Sequence, residues 1–155
     1  MIIVSACLLG ENCTYEGGNN YNQAVCDWLE GKDFIAVCPE RAAGLETPRP
    51  PAEIKCGSGK GVLEGWDKVF SQNGIDLTKE FLHGASKILE QAEAAGATTA
   101  VLKESSPSCG VHFVYDGSFA HKKIAGQGVT AALLAREGIK ILSEKDIENL
   151  IKKDT

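Results

Sequence analysis

Three of the six cysteines follow short apolar runs that have the character of buried β-strands. Cys7 and Cys38 come directly after such runs, and Cys109 closes the loop that follows residues 100–103. In an open parallel α/β sheet, the loops after the strands open at the carboxyl edge of the sheet, where ligands bind. We therefore expect these thiols to converge at one point, a pattern that indicates a metal or iron–sulfur centre.

Strand-like and helix-like segments alternate along the chain, which is typical of an α/β fold with a mainly parallel sheet. Apolar runs predict strands over residues 2–6, 33–37, 98–103 and 139–142. Helical periodicity predicts helices over residues 20–30, 79–95 and 144–152, with a shorter one inside 126–138 and N-caps at Thr78 and Ser143. We expect a single α/β domain over residues 1–155, with a small, mainly parallel open sheet flanked by helices.

Two segments before the longest helix are predicted to be irregular. The prolines between positions 48 and 51 exclude a regular helix or a central strand from residues 39–51. Closely spaced glycines predict a flexible turn over residues 55–63. The Asn73-Gly74 pair lies between short apolar segments and predicts a small β-hairpin insertion.

Charge and cysteine usage limit the partners of this 155-residue chain, whose formal net charge is −5. Nucleic acid is not favoured, because phosphate binding needs clustered lysine and arginine. The first residues lack the basic segment of a signal peptide, and no apolar run approaches the ~20 residues of a membrane-spanning helix. We expect a cytoplasmic protein without a membrane partner, whose cysteines are metal ligands, catalytic thiols or buried residues rather than disulfides.

The remaining cysteines and the histidines give weaker signals. Cys13 lies beside Cys7, but their spacing is wider than the spacings of zinc ribbons and ferredoxins, so Cys13 is a candidate auxiliary thiol. Cys26, inside a predicted helix, and Cys56, in the glycine-rich turn, are expected to be inert. The three histidines have no ligand-like spacing, so a Cys–His hydrolase is not favoured.

Glu40 is the acid that the sequence places closest to a candidate thiol ligand. Pro39 ends the preceding strand, exposes Cys38 at the sheet edge and puts Glu40 beside it. A carboxylate in that position can act as a general base for water or as a proton donor. A solvated surface acid is the alternative interpretation.

The segment of residues 103–110 surrounds Cys109 with small and hydroxyl-bearing residues. Such residues allow backbone N–H groups to approach an anion or a cluster sulfide. We expect Lys103, Ser106 and Ser108 to contact a substrate. The alternatives are an ordinary serine- and proline-rich turn and, for Lys103, a structural ion pair with Glu104 or Glu40.

Several motifs, in a consistent order, resemble those of one protein family. They are Val4-Ser5-Ala6-Cys7-Leu8-Leu9-Gly10, Cys38-Pro39-Glu40, Thr47-Pro48-Arg49-Pro50-Pro51-Ala52-Glu53-Ile54, Leu102-Lys103-Glu104-Ser105-Ser106-Pro107-Ser108-Cys109-Gly110, Tyr115-Asp116-Gly117 and Gly128-Val129-Thr130-Ala131-Ala132-Leu133-Leu134. On these residues the chain resembles the thiouracil desulfidases, a small bacterial and archaeal family first known as a domain of unknown function. The resemblance covers nearly the whole chain.

The resemblance implies a [4Fe–4S] cluster held by Cys7, Cys38 and Cys109, with one iron left open. That iron would bind the sulfur of a thiolated pyrimidine, the C=S group would become C=O, and hydrosulfide would leave without net redox change. Glu40 and Ser105 would be the catalytic acid/base and positioning residues. The implied partner is a small molecule, a thiolated base or nucleoside.

Two segments depart from the family pattern, and two other functions stay open. Residues 41–45 and 120–123 differ from the family's usual small-residue turns and are expected to line the substrate pocket. The first alternative function is a non-catalytic metal- or cluster-binding module. The second is a thiol redox protein that uses Cys7 and Cys13.

Overall fold

The computed structural model describes residues 1–55 and 57–153, so the inert role expected for Cys56 lies outside the described residues. The strands are β1 (Ile2–Ser5), β2 (Phe34–Val37), β3 (Ala52–Lys55), β4 (Lys68–Ser71), β5 (Thr99–Leu102), β6 (Phe113–Tyr115), β7 (Lys123–Ala125) and β8 (Lys140–Ser143). The helices are α1 (Gln23–Leu29), α2 (Pro39–Ala42), α3 (Gly59–Glu64), α4 (Thr78–Ala94), α5 (Val129–Arg136) and α6 (Glu144–Lys153). A short 3-10 turn, Ala6–Leu9, follows β1.

The main sheet has four parallel strands in the order β2-β1-β5-β8. Successive residues of a strand point to opposite faces. Ile3 and Ala100 therefore pack with Ile88 of α4 on one face, whereas Val4 and Val101 pack on the other face against a cluster that includes residues of α1 and α6. Helices cover both faces, so the two central strands are continuously apolar, as the sequence predicted.

Both segments that were predicted to be irregular contain a short helix. The exclusion of a helix is wrong for residues 39–42, which form α2. Pro39 is its first residue, where the missing N–H does not weaken the helix because the first turn has no acceptor for it. The prediction of a flexible turn is wrong for residues 59–63, which belong to α3. There the glycines permit close packing: a Cβ at Gly59 would lie 2.2 Å from the carbonyl oxygen of Gly128, at the N-terminus of α5.

Antiparallel pairing occurs in two small two-stranded sheets outside the main sheet. In one of them, β4 pairs mainly with β3, and the Asn73-Gly74 turn adds a single bridge between Phe70 and Asp76. The β6–β7 hairpin gave no clear signal in the sequence, because its strands have three residues each. No described helix combines the length and apolar character that crossing a membrane requires.

The predicted helix caps have different outcomes. Ser143 caps α6 as expected, because its Oγ accepts the N–H of Asp146 at 3.2 Å while the Asp146 carboxylate accepts the N–H of Ser143 at 2.9 Å. Thr78 is instead the first residue of α4, and its Oγ1 accepts the N–H of Val69 at 3.0 Å. The Thr78 side chain therefore ties α4 to β4 rather than capping the helix.

The crossing of α4 over α2 depends on a glycine in the middle of the longer helix. Gly84 is buried, and a Cβ added there would lie 2.2 Å from the carbonyl oxygen of Pro39. Because Cys38 and Glu40 flank Pro39, this crossing sets the position of both side chains relative to the sheet.

Gly84→Ala is therefore expected to lower the free energy of unfolding by about 2 kcal/mol, because separating the two helices outweighs the ~1 kcal/mol gain in helix propensity. Urea denaturation followed by circular dichroism measures the change. Ser86→Ala, at an exposed position of the same helix, is the matched control and should be near neutral. Equal midpoints for the two variants would contradict the close crossing.

Candidate active site

The three thiols at the strand ends meet in one cavity. Cys7 lies in the 3-10 turn after β1, Cys38 directly follows β2, and Cys109 lies in the loop after β5. Because these three strands are neighbours in a parallel sheet, their following loops share one edge. All three cysteines line a cavity of about 630 Å³ at that edge.

The thiols lie close enough to influence one another electrostatically. Burial, together with the neighbouring charges of Cys38 and Glu40, raises the pKa of the Cys109 thiol to about 12. A hydrogen bond with Cys13 and then burial raise the pKa of Cys38. Of these three thiols, Cys7 alone has a lowered pKa, because the hydrogen bond that it accepts from Cys13 outweighs the effect of its burial.

This donor set fits a cluster of metal ions. Buried thiolates at neighbouring positions repel one another, and bound metal cations would compensate that charge. Among the described residues, no three Cys, His, Asp or Glu side chains are arranged to hold a single metal ion. Ligands of a polynuclear cluster bind different irons and need not converge on one ion, and cysteine thiolates are the usual ligands of iron–sulfur clusters.

Cys13, which was expected to lie beside the site, contacts two of the candidate ligands. It is buried and has hydrogen-bond contacts with the thiols of both Cys7 and Cys38. Its carbonyl oxygen accepts the Cys38 thiol at 3.9 Å and Nη2 of Arg49 at 2.9 Å. Cys26 lies on α1 and does not line this cavity.

Glu40 lies in the cavity wall and is held from two sides. Its Oε1 accepts Nε of Arg49 at 3.1 Å, and its Oε2 accepts the hydroxyl of Ser108 at 3.0 Å. The side chain is 15% exposed, so Glu40 is not a solvated surface acid. Arg49 lies inside the proline-rich motif Thr47–Ile54, but no local pattern in the sequence marked it as a site residue.

The serines of the Cys109 loop have distinct environments. Ser105 is buried, lines the cavity and has a φ of 68°, a backbone conformation that non-glycine residues seldom adopt. The Ser106 hydroxyl accepts the N–H groups of Ser108 and Cys109, each at 3.1 Å. Ser106 and Ser108 line the cavity, but their hydroxyls also hold the loop and Glu40 in place.

Lys103 lines the cavity and forms an ion pair, but with a residue that the sequence analysis did not consider. Its Nζ lies 2.9 Å from Oε2 of Glu144 and donates to the carbonyl oxygen of Glu104 at 3.0 Å. The alternative interpretation, an ion pair with Glu104 or Glu40, is therefore wrong in its partners, because Lys103 pairs with Glu144 instead.

Glu104 organises the loop from inside the protein, a role that the sequence did not indicate. One oxygen, Oε1, accepts four backbone N–H groups at 2.8 to 3.2 Å; they belong to Ser105, Val111, His112 and Phe113. A buried carboxylate with several such donors holds the chain around it in one conformation. Glu104 thereby fixes the two ends of the segment that carries Ser105 and Cys109.

Another part of the cavity wall comes from the β6–β7 hairpin. Tyr115, Phe119, His121 and Lys123 line the cavity there. Residues 120–123 thus contribute to the pocket through His121 and Lys123, as expected. The expectation is wrong for residues 41–45, the last two residues of α2 and the three after it, which do not line the cavity.

Residues 2–146 match the sequence profile of the 2-thiouracil desulfurase family. The chain belongs to this family. It is 42% identical over 151 residues to YbbK, an uncharacterized protein of Bacillus subtilis (strain 168), and the match covers 97% of this chain and 100% of YbbK. It is also 42% identical to TudS, a [4Fe-4S]-dependent thiouracil desulfidase of known structure, with a TM-score of 0.83 and coverage of 98% of this chain and 95% of TudS.

These similarities confirm two of the predictions made from the sequence. The family inferred from the motifs is the family that matches, and the mainly parallel α/β fold is the fold of TudS. The match also spans the cysteines at the sheet edge, Glu40 and the Glu104 loop.

Replacing Glu104 tests how much this desulfurase-family protein depends on the buried carboxylate. We expect Glu104→Ala to lower the free energy of unfolding by about 3 kcal/mol or more, because four buried N–H groups lose their acceptor. Glu104→Gln keeps an acceptor oxygen and should lose less. Denaturant unfolding measures both, with exposed Glu137→Ala as the control. A Glu104→Ala protein as stable as the control would rule out the organising role.

Proposed function

We propose that this protein converts the C=S group of a thiolated, thiouracil-like pyrimidine to C=O and releases hydrosulfide, using a [4Fe–4S] cluster held by Cys7, Cys38 and Cys109. The observation that carries the proposal is that these thiols share one cavity with the carboxylate of Glu40. Membership of the 2-thiouracil desulfurase family and the similarity to TudS support the same chemistry.

The donor set accounts for the cofactor in the proposal. Three protein thiolates can hold a [4Fe–4S] cluster while one iron keeps no protein ligand. When bound, the cluster would supply a thiophilic Lewis acid that polarises a C=S bond. Free thiols at this site also suit a reducing compartment, and we propose a cytoplasmic location for that reason.

The proposed reaction balances without an external oxidant or reductant. The oxygen of one water forms the new C–O bond, the C–S bond breaks, and sulfur leaves as hydrosulfide with its electron pair. The two protons of water end on the released sulfide and the solvent. Carbon, oxygen and sulfur keep their formal oxidation states, so the reaction is a hydrolysis and needs no redox partner.

Glu40 has the contacts that a general base for this water needs. Arg49 and Ser108 each bind one of its oxygens, which fixes the orientation of the carboxylate toward the cavity. An ionised carboxylate retains further lone pairs that can accept a proton from water. We assign this proton transfer to Glu40 and the positioning of the substrate to Ser105, with Lys103, Ser106 and Ser108 as further contacts of the small-molecule substrate.

Single cysteine variants test the cofactor part of the proposal. After anaerobic reconstitution, wild-type protein should contain about four irons and four sulfides per chain. We expect Cys7→Ser, Cys38→Ser and Cys109→Ser each to lose most of that iron, because each removes one of only three ligands. Iron and sulfide assays with the visible spectrum measure the loss. Cys26→Ser, outside the cavity, is the matched control, and equal iron in all variants would sink the cluster assignment.

Glu40→Gln tests the catalytic part separately from the cofactor. The amide has nearly the same shape but is a far weaker base, so sulfide release from 2-thiouracil should fall by a factor on the order of 10²–10⁴ with iron content unchanged. Methylene-blue detection of sulfide measures turnover. Unchanged turnover would remove Glu40 from the mechanism, and no sulfide release even from wild-type holoenzyme would favour a non-catalytic cluster-binding module.

One observation favours a second candidate function, that of a thiol redox protein. Cys13 contacts the thiols of Cys7 and Cys38, so a disulfide with either one would require only a local movement. Two thiols would lose two electrons and two protons to an oxidant such as hydrogen peroxide, which becomes water. Cys13→Ser separates the functions: a variant that keeps its iron and sulfide release argues for the desulfidase, whereas loss of all activity with the iron retained argues for thiol exchange.

A further inference from the structure

The tip of the β6–β7 hairpin holds two side chains in a costly backbone conformation. Phe119 has a φ of 58° and His121 a φ of 59°, in the left-handed region that favours glycine. Non-glycine residues in this region are retained where the surrounding structure enforces them, and they concentrate at functional sites. The side chains of Phe119 and His121 both line the cavity that contains the cysteines.

A buried carboxylate enforces the shape of this tip. Oε1 of Glu53 accepts the N–H groups of Gly117 and Phe119 at 3.0 and 3.2 Å. The Asp116 carboxylate accepts the N–H of Ser118 at 2.9 Å, and the Asp116 N–H donates to the carbonyl oxygen of Lys122 at 2.9 Å. The tip is therefore a closed turn with a defined orientation toward the cavity.

The imidazole of His121 contacts Tyr115 and no other aromatic ring in the described chain. The two ring centroids are 6.3 Å apart and the planes are at 84°, an edge-to-face arrangement. No hydrogen bond or ion pair within the described residues involves the imidazole. His121 is also exposed, so its side chain contributes little packing energy to offset the strained backbone.

We propose that His121, with Tyr115 behind it, is a specificity-determining residue that receives the flat heteroaromatic ring of the substrate. Aromatic side chains bind such rings by stacking and edge contacts, which orient a planar ligand without a dedicated hydrogen-bond partner. His121 and the candidate ligand cysteines line the same cavity, so a ring held at His121 would share that cavity with the thiols. The identity of the ring as a thiolated pyrimidine rests on the proposed function.

His121→Gly distinguishes a substrate-binding role of the imidazole from a purely structural role. Glycine adopts the observed φ without strain, so the variant should be at least as stable as wild type while it loses the ring. His121→Ala removes the ring without relieving the backbone. Lys122→Ala, on the same tip but outside the cavity wall, is the matched control.

The holoenzyme variants are compared by iron content, urea midpoint and steady-state kinetics with 2-thiouracil. The dissociation constant of 2-thiouracil is measured by calorimetric titration of the same variants in a Glu40→Gln background, in which turnover is slow. For both His121 variants we expect a rise in KM and in the dissociation constant on the order of tenfold, with kcat and iron content close to wild type. The urea midpoint of His121→Gly should equal or exceed that of wild type, and Lys122→Ala should change none of these quantities.

Unchanged KM and dissociation constant in both His121 variants would overturn the role of His121 and leave the desulfidase proposal standing. If the wild-type holoenzyme binds 2-thiouracil but releases no sulfide, the proposed function fails, and the calorimetric comparison still decides the role of His121. If the holoenzyme neither binds nor converts 2-thiouracil, both proposals are overturned.

Discussion

Parallel pairing of β1 with β2 on one side and with β5 on the other brings the Cys7, Cys38 and Cys109 loops to the same edge of the sheet. The remaining features of the site follow from holding one buried and two partly buried thiols there. Their mutual repulsion and desolvation are unfavourable unless a cationic group binds among them. The thiols line a cavity that is large enough for a small organic molecule.

Three buried or partly buried carboxylates shape the walls of that cavity. Glu104 accepts four N–H groups at the base of the Cys109 loop, and Glu53 accepts two N–H groups at the tip of the β6–β7 hairpin. Glu40 is bound by Arg49 and Ser108 and lines the cavity. Two of the acids thus hold loops, and the third is available for chemistry.

Much of the fold was predictable, because its core strands are apolar on both faces and its long helices have regular periodicity. Helix α3 was not predictable: its glycines are typical of a turn, and they serve in a helix because α3 packs against the Gly128 backbone at a distance that excludes any Cβ. The ion pair of Lys103 with Glu144 was not predicted, because it depends on the register of β5 with β8. Such contacts between distant segments leave no local pattern in the sequence.

The amino-acid sequence by itself determined the order of strands and helices, the family, and the three cysteines that follow neighbouring strands, because local periodicity and short motifs record these features directly. Only the tertiary structure decided that Arg49 orients Glu40, that Glu104 closes the Cys109 loop, and that His121 faces the same cavity from a strained turn. Each of those relations joins segments far apart in the chain. Their geometry depends on how the sheet, the helices and the hairpin pack together, and no single segment carries that information.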